Sequence, residues 1–249
     1  MRIKETQIES RVIVLAEDVT AATLERMRIE RERDYDLLTG LYNRRAFYRF
    51  AGRVFDQPDK MKHAAVVMMD LDNLKRTNDT FGHEWGDRYI HEAAVCFLRS
   101  IPEETLCARV SGDEFNILFY GYDSREAVQQ AIDRLIAGVE NSCFNLPDGT
   151  ATRIHVSGGI AWYPESSTDP YTLRKYADFA MYQVKHSQKG RLEEFSADHY
   201  QESIHANRVR QEFHHMLREE LVTYHFQPIV SARTGEIMAY EALMRVDLP

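Results

Sequence analysis

The residues able to do chemistry fall into three groups. The first is Asp70-Leu71-Asp72, which closes the apolar run His63 to Leu71 and steps just beyond it. A strand's period of two puts both carboxylates on one side, with the Leu71 carbonyl between them. Carboxylate and carbonyl oxygens are what a hard cation such as Mg²⁺ takes, although a capped strand end would also use them. An EF-hand loop is excluded, because the sixth position from Asp70 is Lys75 rather than Gly and the twelfth is Phe81 rather than Glu. The second group is Asp113 and Glu114, in the turn Ser111-Gly112-Asp113-Glu114 between two short apolar runs. If that hairpin pairs beside the first strand, three or four carboxylates meet at one sheet end, and their repulsion calls for a cation. The third is Asn78 to Asp87, read as a Gly-punctuated loop entering a helix, with Lys75 before it and Lys185 far downstream. An Asn amide and an Asp carboxylate together match the Watson–Crick edge of guanine; Asn, Asp and Gly are equally turn and cap formers. Lys75 and Lys185 gain meaning only where an anionic phosphate chain lies near the acidic cluster. His83 has no second His or Cys at ligand spacing, which argues against a zinc site.

The elements that must position these groups are readable from periodicity. His63 to Leu71 has the length and continuous apolarity of a strand buried on both faces. Ile90, Ala93, Ala94, Phe97, Leu98 and Ile101 recur at helical spacing and predict a helix over about 84–100. Leu106 to Val110 and Phe115 to Tyr120 read as a hairpin, and Val128 to Val139 as a further helix. A strand over Thr152 to Tyr163 and a helix over Tyr171 to Lys185 complete the pattern. Upstream, Leu37 to Arg45 reads as a turn leading into a helix from Arg44 to about Val54, Arg11 to Ala16 as a strand, and Ala21 to Asp36 as a linker helix with a poor apolar stripe. Downstream, a polar helix over Ala197 to Leu221 precedes strands at Val222 to Val230 and Ile237 to Leu243. The class is α+β, a central mixed sheet flanked by helices in a ferredoxin-like or palm-type arrangement.

Composition narrows the function. In 249 residues, 39 Asp and Glu exceed 31 Lys and Arg, giving a net charge of −8, and the charges are interspersed. That leaves no basic face for nucleic acid. The longest apolar run, Ala64 to Met69, is far short of the roughly 20 residues of a membrane helix, so no membrane contact is expected. Three scattered cysteines without a CxxC fit a reducing compartment, the cytoplasm.

Taken in order, Asp36-x-Leu38-Thr39-Gly40-Leu41-x-Asn43-Arg44-Arg45, Asp70-x-Asp72-x-x-Lys75-x-x-Asn78-Asp79-x-x-Gly82-His83-x-x-Gly86-Asp87, Ser111-Gly112-Asp113-Glu114-Phe115 and Ala177-Asp178-x-Ala180-x-Tyr182-x-x-Lys185 resemble the GGDEF family. The resemblance covers about 34–195. It implies a diguanylate cyclase, condensing two GTP into cyclic di-GMP with release of pyrophosphate. By position it implies metal binding (Mg²⁺ or Mn²⁺) by Asp70, the Leu71 carbonyl, Asp113 and Glu114. It further implies guanine contacts from Asn78 and Asp87, phosphate contacts from Lys75 and Lys185, and a nucleotide passing the backbone at Gly112. Asp113 or Glu114 would help deprotonate the attacking 3′-hydroxyl, and the residues do not say which. One GTP per site implies a catalytic homodimer. The signature's first Gly is Ser111 here, which keeps open a second reading, an inactive GTP-binding domain that regulates a neighbour.

The flanks carry weaker resemblances. Phe226-Gln227-Pro228-Ile229-Val230 and Glu241-Ala242-Leu243 look like the opening of an EAL phosphodiesterase domain, and Arg11 to Thr20 resembles the exit of a PAS sensor. The expected organisation is therefore a sensor end and signalling helix over 1–33, a GGDEF domain over 34–196, and a linker helix with a truncated EAL start over 197–249. The partners implied are an upstream sensor and a downstream EAL domain.

Overall fold

The computed structural model describes residues 2–8, 11–17, 32–219 and 221–246. In chain order its elements are β1 (Arg2–Ile8), β2 (Arg11–Glu17), β3 (Tyr42–Asn43), α1 (Arg44–Phe55), β4 (His63–Leu71), α2 (Leu74–Phe81), α3 (His83–Ser100), β5 (Leu106–Ser111), β6 (Glu114–Tyr122), α4 (Arg125–Glu140), β7 (Phe144–Asn145), β8 (Ala151–Thr152), β9 (Val156–Tyr163), α5 (Pro170–His186), β10 (Leu192–Glu194), α6 (Ala197–Arg218), β11 (Val222–Val230) and β12 (Ile237–Val246). The chain divides into two units, Met1–Phe195 and Ser196–Pro249.

The first unit is built around β4. A six-stranded mixed sheet runs β10-β9-β4-β6-β5-β3, with β4 antiparallel to both neighbours and parallel pairs at the two edges. Because β4 is central, it is buried on both faces, and its residues alternate between two cores. Ala65, Val67, Met69 and Leu71 pack with Phe115, Ile117 and Phe119 of β6 against α3 and α4. Ala64, Val66 and Met68 pack with Leu118 against α1 and α5. The result is the α+β fold expected, a mixed central sheet flanked by helices. Each of the fully buried rings Phe97, Phe115 and Phe119 contributes about 1.5–3 kcal/mol of hydrophobic stabilisation.

Local signals set the helix ends. Asn43, Ser124 and Asp169 cap α1, α4 and α5 by accepting from the backbone N–H groups of Ala46, Ala127 and Thr172. Pro170 opens α5 where its missing N–H costs nothing.

Four expectations are corrected. Asn78 lies in a helix, α2, rather than in a loop; Gly82, at φ +87°, then breaks the chain and α3 begins at once. The strand expected over Thr152 to Tyr163 is interrupted: Ala151–Thr152 pairs with Phe144–Asn145, and only Val156–Tyr163 joins the main sheet. Leu98 is 51 % exposed, because Phe97 takes the inward position and its neighbour is turned about 100° around the helix. Tyr42–Asn43, expected as a turn, pairs as an edge strand with Ala108 and Arg109. The linker helix expected over Ala21 to Asp36 lies mostly outside the described residues, of which 32–34 are helical. The expected strand at Arg11 is present as β2, paired with β1 from Arg2↔Glu17 to Ile8↔Arg11.

Where the main domain begins, buried Asp34 accepts from Arg33 Nε at 2.9 Å and lies 2.7 Å from Arg49 Nη2 on α1. These guanidinium hydrogen bonds hold its carboxyl well below the usual carboxylate range. A depressed folded-state pKa stabilises the protein above the ordinary carboxylate value, near 4, and that contribution is lost as pH falls further. Asp34→Asn is therefore expected to lower stability at neutral pH and to match wild type in strong acid. Chemical denaturation of both proteins from pH 7 down to pH 2 checks this; the gap should narrow steadily below about pH 4, and a gap of unchanged size at pH 2 contradicts it.

The second unit contains α6 and the β11–β12 hairpin. Ser196 caps α6, which buries no residue of its own. The hairpin leaves Tyr224, Phe226, Ile229, Met238 and Tyr240 exposed. Among the described residues no helix is long and apolar enough to cross a membrane.

Candidate functional site

Asp70 sits one residue before the end of β4, on the face that carries Met68 and looks toward α5. Its partner across the sheet on one side is Glu114 of β6, and on the other Ser157 of β9. Directly opposed residues share a face, so two acidic side chains are set side by side, an arrangement that destabilises a sheet unless a cation intervenes. Asp113 is the second residue of the two-residue loop that turns β5 into β6, where Ser111 pairs with Glu114. Its carbonyl accepts from the Leu71 N–H at 3.0 Å, fastening the hairpin tip to the end of β4.

Asp70 is 7 % exposed. Burial, together with the charges of Asp113 and Glu114, pushes its carboxyl above the usual range, against the pull of Lys185, whose Nζ lies 2.6 Å from Oδ2. Lys185 arrives from the last turn of α5, where a cation also meets the negative end of the helix dipole. Its reach depends on Gly159. A Cβ at that position would stand 2.0 Å from the Ala177 carbonyl oxygen and 2.3 Å from the Met181 nitrogen, so only glycine lets α5 lie this close to β9.

Asp72 does something else. It is 5 % exposed, and the Ser157 hydroxyl lies 2.8 and 3.0 Å from its two oxygens; the Gly190 N–H in turn donates to Ser157 Oγ at 3.1 Å. The two carboxylates of the Asp-x-Asp pair thus have separate partners, Asp70 a lysine and Asp72 a serine.

These groups line an open cleft of about 510 Å³. Lys75, Arg76, Lys185 and Lys189 face it together with Asp70, Asp72, Asp79 and Asp113. No group of three or more His, Cys, Asp or Glu among the described residues is gathered as ligands for one ion. The convergence of three or four carboxylates is therefore looser than the sequence suggests. The donor set still suits Mg²⁺, which commonly takes one or two carboxylates and completes its shell with water and substrate phosphates.

Asn78, Asp87, Gly112 and Glu114 are not among the residues that line this cleft. Asn78 on α2 has its Oδ1 buried without a hydrogen-bond partner, pressed against Gly86: a Cβ at position 86 would be 1.8 Å from that oxygen. Asp87, the next residue, is exposed on α3, so the Asn78 amide abuts the turn of α3 that carries Asp87. Gly112 is exposed, and a Cβ there would meet nothing within 4 Å. Ser111 has no positive φ, so its side chain imposes no backbone strain on the hairpin.

Sequence reasoning missed four residues. Arg109 donates from Nε to the Gly112 carbonyl at 2.8 Å and from Nη1 to Asp36 at 3.3 Å, tying the hairpin loop to the domain's first segment. Ser157 and Lys189 carried no signal. Gly159 carried a weak one, since adjacent glycines inside an apolar strand mark a close backbone approach.

The family model described as "Diguanylate cyclase, GGDEF domain" matches residues 33–191. The cyclic di-GMP phosphodiesterase PdeR of Escherichia coli (strain K12) is 30 % identical over 236 residues, 92 % of this chain and 34 % of that protein. The chain thus spans about a third of that relative's length. Among solved structures, the GGDEF domain of YfiN (TpbB) from Pseudomonas aeruginosa is similar at TM-score 0.59 and 31 % identity, covering 65 % of this chain and 94 % of that one. The coiled coil and GGDEF domain of DgcB from Caulobacter crescentus, in complex with c-di-GMP, is similar at TM-score 0.59 and 25 % identity, covering 70 % and 95 %.

Proposed function

This chain belongs to the GGDEF (diguanylate cyclase) domain family of cyclic di-GMP signalling, and we propose that it is itself a cyclase, joining two GTP into cyclic di-GMP and releasing pyrophosphate. The observation that carries this reading is the buried Asp70, set opposite Glu114 at the mouth of a cleft lined by Lys75, Arg76, Lys185 and Lys189. Acid beside base in this way suits a divalent cation with a triphosphate on it.

Asp70, the Leu71 carbonyl, Asp113 and Glu114 would hold Mg²⁺ or Mn²⁺. When bound, the ion supplies charge stabilisation at the phosphates and acidifies the attacking 3′-hydroxyl. Lys75 and Lys185 bind the phosphate chain, and Asp113 or Glu114 accepts the hydroxyl proton. The exposed Gly112 backbone leaves room for the nucleotide. The Asn78 amide and Asp87 carboxylate offer acceptors for guanine N1–H and N2–H and a donor for O6 or N7. One GTP per domain makes a homodimer the working form, in the cytoplasm where GTP is found.

A second reading has support of its own. PdeR is named a phosphodiesterase, and the apolar side chains exposed on the β11–β12 hairpin suit the start of a larger EAL domain. On that reading the domain binds GTP without turnover and regulates the phosphodiesterase. Incubation with GTP and Mg²⁺ separates the two: cyclic di-GMP supports the cyclase, and GTP binding without product supports the regulator.

Gly86→Ala tests the guanine site. The added methyl must displace the Asn78 amide, so GTP affinity is expected to fall about tenfold, the loss of one well-placed hydrogen-bonding group, while the weaker binding of ATP changes little. Calorimetric titration of both nucleotides checks it; equal losses for ATP and GTP contradict it.

A further inference from the structure

The loop between α5 and β10, residues 187–191, carries two cations with different surroundings. Arg191 is tied to its own segment, with Nη2 3.2 Å from the Glu193 carboxylate and Nη1 donating to the Gln188 side chain at 3.4 Å. Lys189 lines the cleft that also holds Asp70, Lys75 and Lys185. Among the described residues Lys189 has no ion-pair partner, whereas Lys185 is engaged by Asp70.

A side chain of the neighbouring strand fixes this loop. Ser157 of β9 is 0 % exposed; its hydroxyl donates to the Asp72 carboxylate at 2.8 Å and accepts from the Gly190 N–H at 3.1 Å. A serine hydroxyl has one proton to give, so Asp72 takes it and the oxygen is left to hold the loop. The Gly190 N–H belongs to the planar peptide unit that starts at the Lys189 Cα, so fixing it fixes where that Cα lies. Asp72 is a firm end to this chain of bonds. Its N–H donates to the His155 carbonyl at 2.8 Å, and its carbonyl accepts from the Tyr89 hydroxyl at 3.2 Å.

We propose that Ser157 is a positioning residue for phosphate binding: its hydroxyl joins Asp72 to the peptide plane after Lys189 and so sets where the Lys189 ammonium stands in the cleft. This role rests on the cleft's holding GTP, and it belongs to a residue that touches no substrate atom itself.

GTP with Mg²⁺, and guanosine separately, are titrated by calorimetry or NMR into the 249-residue chain, Lys189→Gln, Ser157→Ala and the double variant. Lys189→Gln is expected to weaken GTP binding about five- to tenfold, the loss of one charge-assisted hydrogen bond to phosphate, and to leave guanosine unchanged. Ser157→Ala should give a GTP loss of similar size, again with guanosine unchanged, and the double variant should bind GTP no more weakly than Lys189→Gln. A general loosening of the domain would instead weaken both ligands and multiply with the Lys189 effect. If Ser157→Ala does not fold, Ser157→Cys replaces it, with nearly the same shape and only a weak donor and acceptor, and the same non-additivity is expected. The proposal is overturned if either single variant binds GTP like the natural chain, if guanosine weakens as much as GTP, or if the two losses multiply. Failure of the natural chain to bind GTP overturns it together with the nucleotide reading, whereas GTP binding without turnover sinks the cyclase alone and leaves these comparisons decisive.

Discussion

Asp70→Ala is expected to lower cyclic di-GMP formation by roughly 10³-fold or more, the rate equivalent of several kcal/mol of lost transition-state stabilisation. Its carboxylate is the most buried of the acids proposed to hold the cation, and it faces Glu114 across the sheet. GTP binding should survive, because Asn78, Asp87 and Lys75 are untouched and Lys185 loses the carboxylate that now engages it at 2.6 Å. Stability should change by only about 1 kcal/mol. The lost ion pair is partly exposed on the lysine side, and removal of a buried acid held above its ordinary pKa offsets part of that loss. Product formation and nucleotide affinity measured on the same preparation give the test. Unchanged turnover refutes the cation-holding role of Asp70, whereas lost turnover together with lost GTP binding places Asp70 in recognition instead.

Gly159→Ala should produce the largest loss of stability, about 3 kcal/mol or more, because both atoms nearest the new methyl are backbone atoms of α5 and cannot swing aside. At 2–4 °C per kcal/mol for a chain of this size, the melting temperature falls by roughly 6–12 °C. The same displacement lifts Lys185 away from Asp70, so residual folded protein should also lose affinity for triphosphate. Gly52→Ala is the contrasting substitution, since a Cβ there meets nothing within 4 Å; replacing a mid-helix glycine should raise stability by about 0.5–1 kcal/mol. Equal melting temperatures for wild type and Gly159→Ala would show that α5 can move at little cost.

Asp36 and Arg109 bear on how such a site could be controlled. Arg109 bonds at once to Asp36, in the first segment of the domain, and to the carbonyl of Gly112, in the loop that carries Asp113. A shift of the entering chain therefore has a short, polar path to the hairpin.

How much of this was legible beforehand differs by residue. The β4 run was plain, because a strand buried on both faces shows no alternation, and the six residues from Ala64 to Met69 are all apolar. The hairpin was equally plain, since its turn residues separate two apolar runs. Asn78 was misplaced in a loop because Asn, Asp and Thr favour turns locally, and packing of α2 on α3 overrides that preference. Asp72 was paired with Asp70 by strand period alone; its serine partner lies 85 residues away in sequence, and no local pattern announces it.

The sequence by itself determined the family, the central strand, the acidic turn and the identity of the charged groups, because these rest on residue type and short-range periodicity. Only the tertiary structure decided which of those groups meet. Register across the sheet set Glu114 opposite Asp70, the glycine contact at position 159 brought Lys185 to the same place, and the placing of β9 beside β4 gave Asp72 the Ser157 hydroxyl. Each of these is a contact between segments distant in the chain, fixed by burial on the two faces of one sheet rather than by any residue's own preference.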